Sequence, residues 1–560
     1  METELKKWFE VKLDESDCAS VKRFYLERSV FNINKCDDFT SMMCICRILA
    51  ADQRVLWEHL SDSFLESFTS PVDLWNEQLA VKLLRSWIEQ LTDKITASQL
   101  YETLENHLNK TVKPVTSLPL VKPHDNDTRE SSKLPYLVIP ASTGVEGSLV
   151  CNTPLPAFAD LLRVPRSSMF FIDTVVEFSE LGRVVHASTE LSDIFTDDEP
   201  LLVLALIYER YVAKDASHWR ELISSCPTMY PTVPSFWDWD DLAELEGLDV
   251  LDDVLAKRAQ LLQFHTEVMS VLPIIYEALE GRSGLEKDDF LDQFSVEAIM
   301  WARATFDSRA FNLRVDERVV LSLVPIADMI NHNNRSNVLV RKVEPNKGDF
   351  VMQIGPSLTA EDVGHELWMS YGPLQNWELL QFYGFVLENN EYDKLPFPFD
   401  TPTTVTGDVW DERRASLVAK YALHLVGRCW IGYSGHPPAA LLALLRVHLA
   451  EAEEFDIMER EGPFVSLSTS TELRVIQTIA ETVQCILDLS STSLEEDMER
   501  LKADSTEGTE RKDNEDEDED GDGEILSVNK KLSTILRMGL KRIAYRSLEW
   551  CSSAMLSLSA

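Results

Sequence analysis

Two blocks of short strand-forming runs, separated by a long stretch of helical period, constrain this chain more than any other feature. From Leu134 the residues run as short β-type segments, Tyr136-Leu137-Val138-Ile139 and Ser148-Leu149-Val150-Cys151, then Leu161-Leu162-Arg163-Val164-Pro165. Between about 200 and 306 the apolar residues return at helical spacing, as in Leu255, Leu261, Leu262, Phe264, Val268, Leu272 and Ile275, with Pro273 expected to kink or end that helix. Strand runs resume at 319–324 and 366–369. A sheet interrupted and then resumed implies one β-rich domain split by a helical insert, and the fold class is α+β.

The flanks read as helical. Residues 1–111 form a helical N-terminal extension, in which Ser70-Pro71 is placed as an N-cap with proline at the first helical position. The polar, proline-punctuated segment 112–133 reads as a linker. The split domain occupies 134–399, with its insert at about 200–306. Residues 400–560 carry helical runs at 413–426, 439–453, 472–489 and 525–556, broken by the acidic loop 513–524, whose nine carboxylates face no basic residue.

At 560 residues, with 44% of them hydrophobic, the chain has material for several packed cores. Ninety-four acidic against 53 basic side chains give a formal charge of −41, which argues against a nucleic-acid partner and for a basic one. Nine cysteines without a CxxC pair suggest free thiols in a reducing compartment, and no metal site is expected. The charged N-terminus lacks a signal-peptide core, and the longest apolar stretches, 201–208 and 438–445, fall short of the roughly 20 residues that span a bilayer. A soluble monomer of the cytoplasm and/or nucleus is the expectation.

Four short strings carry the chemistry: Ser308-Arg309-Ala310-Phe311, Asp328-Met329-Ile330-Asn331-His332, Tyr371-Gly372 and Tyr383-Gly384-Phe385. Asp328 follows Arg309 by 19 residues, Tyr371 follows His332 by 39, and Tyr383 follows Tyr371 by 12. In order and spacing these strings resemble the S-adenosylmethionine site of the Rubisco large-subunit type of SET-domain protein methyltransferase, and the resemblance extends over residues 134–560. That family has a β-rich SET domain interrupted by a helical insert and followed by a helical substrate-binding domain. The first 130 or so residues lie outside it, apart from a family-like opening helix around Lys6-Lys7-Trp8-Phe9.

The resemblance implies S-adenosyl-L-methionine as cofactor and a protein substrate that is basic or lysine-containing, with no nucleic acid or membrane involved. It implies cofactor-binding roles for Arg309, Asp328, Asn331, His332 and Tyr371, and for the loop residues Glu146, Gly147, Ser148 and Leu149. A guanidinium suits the methionine carboxylate because its fork can meet both oxygens. Ser308, Phe311 and Phe385 would line the target channel, and Tyr371, assisted by Tyr383, would align the acceptor amine. One departure stands out: Ser148 falls where the family has the second glycine of its early loop. Lysine is the expected acceptor. Histidine is the alternative, since some family members methylate it, and a catalytically weak SET-fold binding module is the rival from another class. His365-Glu366 is not a zinc-peptidase motif, because Met369 stands where its second histidine is required.

Overall fold

The computed structural model describes residues 2–28, 38–61, 64–91, 94–111, 134–139, 147–316, 318–344, 347–398, 409–421, 423, 429–510 and 526–559. The linker at 112–133 and the acidic loop at 513–524 lie outside the described residues. The chain divides into two compact units, one of Met1–Asn106, Pro373–Asn376 and Val386–Ala560, the other of His107–Gly372 and Trp377–Phe385.

The second unit holds the split sheet. Strands β1 (Tyr136–Ile139) and β2 (Ser148–Cys151) pair antiparallel, with Val138 opposite Leu149. β3 (Asp160–Val164) pairs with β7 (Phe350–Ile354), which pairs in turn with β6 (Val338–Val343), while β4 (Phe311–Val315) and β5 (Arg318–Ser322) form a hairpin. Period-two patterning explains the hairpin: Phe311, Leu313 and Val315 are buried while Asn312 and Arg314 are exposed. Between β3 and β4 the chain is helical from Ile172 to Arg309, interrupted by turns. The Asp198–Ile207 helix is buried along its run from Leu201 to Ile207, so it passes through the core. Phe170, Phe171, Phe290, Phe294 and Phe350 are fully enclosed in that core, and removing a ring such as Phe290 costs about 3–5 kcal/mol.

Two expectations change here. The Asp249–Ala278 helix runs through Pro273 and continues to Ala278, so the proline does not end it; Leu272 and Ile275 beside it are fully buried, and burial of that face offsets the roughly 3 kcal/mol that an interior proline costs. Residues 366–369 do not form a strand. Glu366 bridges to Val150 and Met369 to His332, so the segment is held at its two ends by different partners and never builds a continuous ladder.

In the first unit the helices that precede residue 107 and those that follow 386 share one core. Helix Phe39–Ala50 packs on helix Leu74–Glu89, locked by a buried two-pronged pair in which Arg47 Nε and Nη2 lie 2.6 and 2.9 Å from the Glu77 carboxylate. The latter helix is capped by Asp73, whose carboxylate accepts from Asn76 N at 2.7 Å; Ser70-Pro71 lies before the cap because Asp73 supplies the first oxygen at the required spacing. Trp57 meets Trp430 at 5.7 Å, on β9 (Cys429–Gly432), which pairs antiparallel with β8 (Lys394–Phe397). Helices Thr469–Asp488, Leu494–Glu510 and Val528–Ser559 complete the unit. Among the described residues, no helix is long and apolar enough to cross a membrane.

Candidate active site

The Val296–Arg309 helix is capped by Ser295 and delivers Arg309 at its last turn, directly before β4. Arg309 Nη1 donates to the Asp328 carboxylate at 3.1 Å and to the Asp328 carbonyl at 3.3 Å. The Asp328 side chain is fully enclosed, and its Oδ1 has no hydrogen-bond partner among the described residues. Burial pushes its carboxyl above the ordinary aspartate value, and Arg309 offsets part of that rise. Ile326, just before it, is a β-branched residue at φ +70°, a conformation that costs of order 1–3 kcal/mol and is found where a site imposes it.

Past Asp328 the chain lays Asn331 and His332 against the 366–371 segment. Asn331 donates to the Gly147 carbonyl at 3.2 Å and to Glu366 at 2.8 Å, and its own carbonyl accepts from Met369 N at 2.9 Å. His332 Nδ1 accepts from the backbone N–H of Tyr371 at 3.1 Å, which assigns the proton to Nε2. That Nε2 is buried without a hydrogen-bond partner. Burial pulls the imidazole pKa down to about 4, with Asn334 and the Met369 carbonyl opposing the change, so the ring is neutral at physiological pH.

Tyr371 closes the arrangement. Its hydroxyl donates to the Ile330 carbonyl at 3.0 Å, its ring lies 5.0 Å from the His332 ring, and it stacks on Tyr383 at 4.7 Å. Tyr383 ends a π-helical turn, Leu379–Tyr383, of the sort that recurs at functional sites. Gly384 follows at φ +75°, where an added Cβ would stand 2.4 Å from Thr232 Oγ1, so only glycine turns the chain there. Burial pushes the Tyr383 phenol up to about 12. Phe385 lies 6.0 Å from His332 and 6.2 Å from Tyr383.

Phe311 is buried at the head of β4, with its ring 5.6 Å from Phe350. The Ser308 hydroxyl donates to the Ala304 carbonyl at 2.7 Å, bonding back along its own helix. The Gly147 carbonyl meets the Asn331 side chain, Ser148 and Leu149 follow as the buried start of β2, and Glu146 lies outside the described residues.

Sequence reasoning missed three participants. Glu366 anchors Asn331. Tyr230 bonds Thr305 at 3.0 Å and is close enough to Arg309 for each to act on the other's ionisation. Arg341, on β6, carries its guanidinium 5.9 Å from the Phe311 ring. A period-two reading would have placed Arg341 with Leu339 and Val343, on one face of the strand, which was a signal available in the sequence.

Residues 408–543 match the family model described as Rubisco LSMT substrate-binding. The actin-histidine N-methyltransferases of Homo sapiens and Papio anubis are each 23% identical over 371 residues, covering 62% of this chain and 54% of theirs. The chain therefore spans about half the length of these curated relatives. Among solved structures, the SET domain of LSMT bound to lysine and AdoHcy is 20% identical, with a TM-score of 0.52 over 76% of this chain and 88% of that one. Rubisco LSMT bound to sinefungin and monomethyllysine is 19% identical, with a TM-score of 0.53 over 76% and 89%. The chain has an α+β fold like that of the SET-domain LSMT structures, and its residues 408–543 match the substrate-binding family model.

Proposed function

We propose that this chain is an S-adenosylmethionine-dependent protein N-methyltransferase with lysine as the acceptor. The observation that carries the reading is the bond from Tyr371 N to His332 Nδ1, together with the Tyr371–Tyr383 stack, because these contacts join three strings distant in sequence around one aromatic site. The AdoHcy-bound structural neighbour supports the cofactor class.

The residues fit such a cofactor. Arg309 uses Nη1 on Asp328 and makes no other hydrogen bond to a described residue, so its remaining N–H groups suit a carboxylate. His332 Nε2, without a partner among the described residues, and Asn331, whose side chain reaches the Gly147 carbonyl, would hold the rest of the molecule. When bound, the cofactor supplies an electrophilic methyl group on a sulfonium. The chain's own work is positioning and exclusion of water. The Tyr371 hydroxyl donates to the Ile330 carbonyl, and its oxygen, which has acceptor capacity as well, would receive an amine N–H and so turn the nitrogen lone pair toward the methyl group. Tyr383 stays protonated, since its pKa lies near 12, and it serves as a wall and hydrogen-bonding group rather than a base. Phe311 and Phe385 shape a dry passage for an aliphatic side chain. In the same proposal the C-terminal helices engage a basic substrate protein, and the enzyme acts as a monomer in the cytoplasm or nucleus.

A histidine acceptor is the second reading, favoured by the names of the curated relatives. Tyr371→Phe tests the core of the proposal. The variant keeps its fold and its calorimetric affinity for S-adenosylmethionine but loses about 100-fold in labelled methyl transfer to proteins from cells lacking this enzyme. Wild-type turnover in the variant overturns the assignment. Mass spectrometry of the wild-type product separates methyl-lysine from methyl-histidine, and failure of the folded chain to bind the cofactor favours the binding module.

A further inference from the structure

Arg341 is an arginine without a counter-ion. It sits on β6 opposite Met352 of β7, on the partly buried face shared with Leu339 and Val343, and makes no hydrogen bond or ion pair with any described residue. Several enclosed arginines are paired with carboxylates, Arg309 with Asp328, Arg47 with Glu77, Arg446 with Glu472 and Arg54 with Asp73, whereas Arg258 is held by the backbone carbonyls of Pro234 and Ser235 and Arg210 lies over the Trp301 ring. Arg341 has neither a carboxylate nor a backbone carbonyl among the described residues, and it is the one of these three that lies at the candidate site.

The surroundings of this guanidinium are aromatic. Its carbon lies 5.9 Å from the centre of the Phe311 ring, near the outer limit of a cation–π contact. The titratable groups close enough to influence it are Tyr383 and Tyr371, the two stacked phenols. Burial pulls its pKa below the ordinary arginine value, with those phenols opposing, and it remains a cation at any physiological pH. Of the strands packed on β6, β7 contributes only Gln353 as a polar side chain, and Arg314 of β4 is exposed, as is the neighbouring Lys342.

A fixed cation in a poorly hydrated passage acts on every other charge that enters it. A second positive charge is disfavoured, whether it is the sulfonium or a protonated acceptor amine, and a neutral nitrogen is admitted without that penalty. For a lysine the effect favours the uncharged, nucleophilic amine; an imidazole is largely neutral already.

We propose that Arg341 is a positioning and specificity residue, whose uncompensated guanidinium beside Phe311 and the two tyrosines keeps the acceptor nitrogen uncharged. This rests on the methyl-transfer reading above, and the test separates the two. S-adenosylmethionine and S-adenosylhomocysteine differ in charge at sulfur, so the ratio of their calorimetric dissociation constants on the full chain reports the field there without needing the substrate. Arg341→Met and Arg341→Gln are expected to tighten S-adenosylmethionine relative to S-adenosylhomocysteine by about three- to tenfold, while Arg341→Lys stays within about twofold of wild type. Circular dichroism of each variant confirms that the fold is retained. An unchanged ratio in a folded neutral variant that binds both ligands overturns the inference. If the folded wild-type chain binds neither ligand, the methyl-transfer reading itself falls, and this inference with it.

Discussion

Asp328 and Asp497 are both enclosed aspartates paired with an arginine, one in each unit, and their surroundings push them in opposite directions. Asp497 accepts from Thr492 at 2.9 Å, from Arg537 at 3.1 Å and from Lys541 at 2.7 Å, and these donors outweigh burial to hold its carboxyl below the ordinary value. Asp328 is pushed up by burial, has Arg309 as its one cationic partner among the described residues, and keeps Oδ1 without a hydrogen bond to any of them. The first is a closed network of the kind that fixes architecture; the second is open, as a place prepared for a ligand is.

The largest effect expected from this contrast is on stability. Asp497→Asn takes away the enclosed anion that Arg537 and Lys541 share, and should cost about 3–5 kcal/mol in denaturant unfolding while leaving S-adenosylmethionine affinity unchanged. A variant as stable as wild type would break the comparison.

Next is the acid response of His332. Its folded pKa of about 4 lies below the ordinary 6.5, so the unfolded chain binds the extra proton first. Stability is fully retained above about pH 6.5 and falls by about 3 kcal/mol toward pH 4. His448, in the other unit, is also pulled down to about 4, chiefly by burial. Comparing wild type with His332→Gln across that pH range isolates the site's share, because the variant retains the His448 contribution.

What was legible in the sequence follows from the range of the interactions. The strings at 308–311, 328–332, 371–372 and 383–385 are contiguous, and each sets its local geometry through its own backbone, so their order announced the site. Strand patterning placed β1, β2, β3 and β5 for the same reason, since alternation is a local signal, but not β4, whose start is legible only as part of the Ser308–Phe311 string. Glu366 and Tyr230 reach the site only through contacts with residues 35 and 75 positions away, which no local pattern encodes. The sharing of a core between helices before residue 107 and helices after 386 is likewise non-local; the Tyr25 hydroxyl bond to the Tyr421 carbonyl at 3.3 Å spans 396 residues. Pro273 does not end its helix because burial of its neighbours is a tertiary effect that overrides local propensity.

A smaller effect is expected at Arg309. Arg309→Lys retains the charge beside Asp328 but loses the planar fork, and S-adenosylmethionine should bind about tenfold more weakly, or about 1.4 kcal/mol, with little change in unfolding free energy. Calorimetry and denaturant melts on the same preparation distinguish this from a structural role, in which stability would fall in proportion.

The smallest effect at neutral pH is the one that tests the contrast most sharply. Asp328→Asn should change stability by no more than about 1 kcal/mol, because the carboxylate it replaces has little net benefit from a single pairing. The sign of its pH dependence is opposite to that of Asp497→Asn. Since the folded pKa of Asp328 is raised, its ionised form disfavours the fold above that value, and the penalty vanishes below the unfolded value; the asparagine variant therefore gains relative to wild type as pH rises from about 3 to 7. The folded pKa of Asp497 is lowered, so its stabilisation is present above the unfolded value and is lost as pH falls through the folded one; Asp497→Asn loses ground over the same rise. Unfolding free energies of the two variants should diverge with increasing pH, and parallel curves would show that the open and closed carboxylates are alike in energy whatever their geometry.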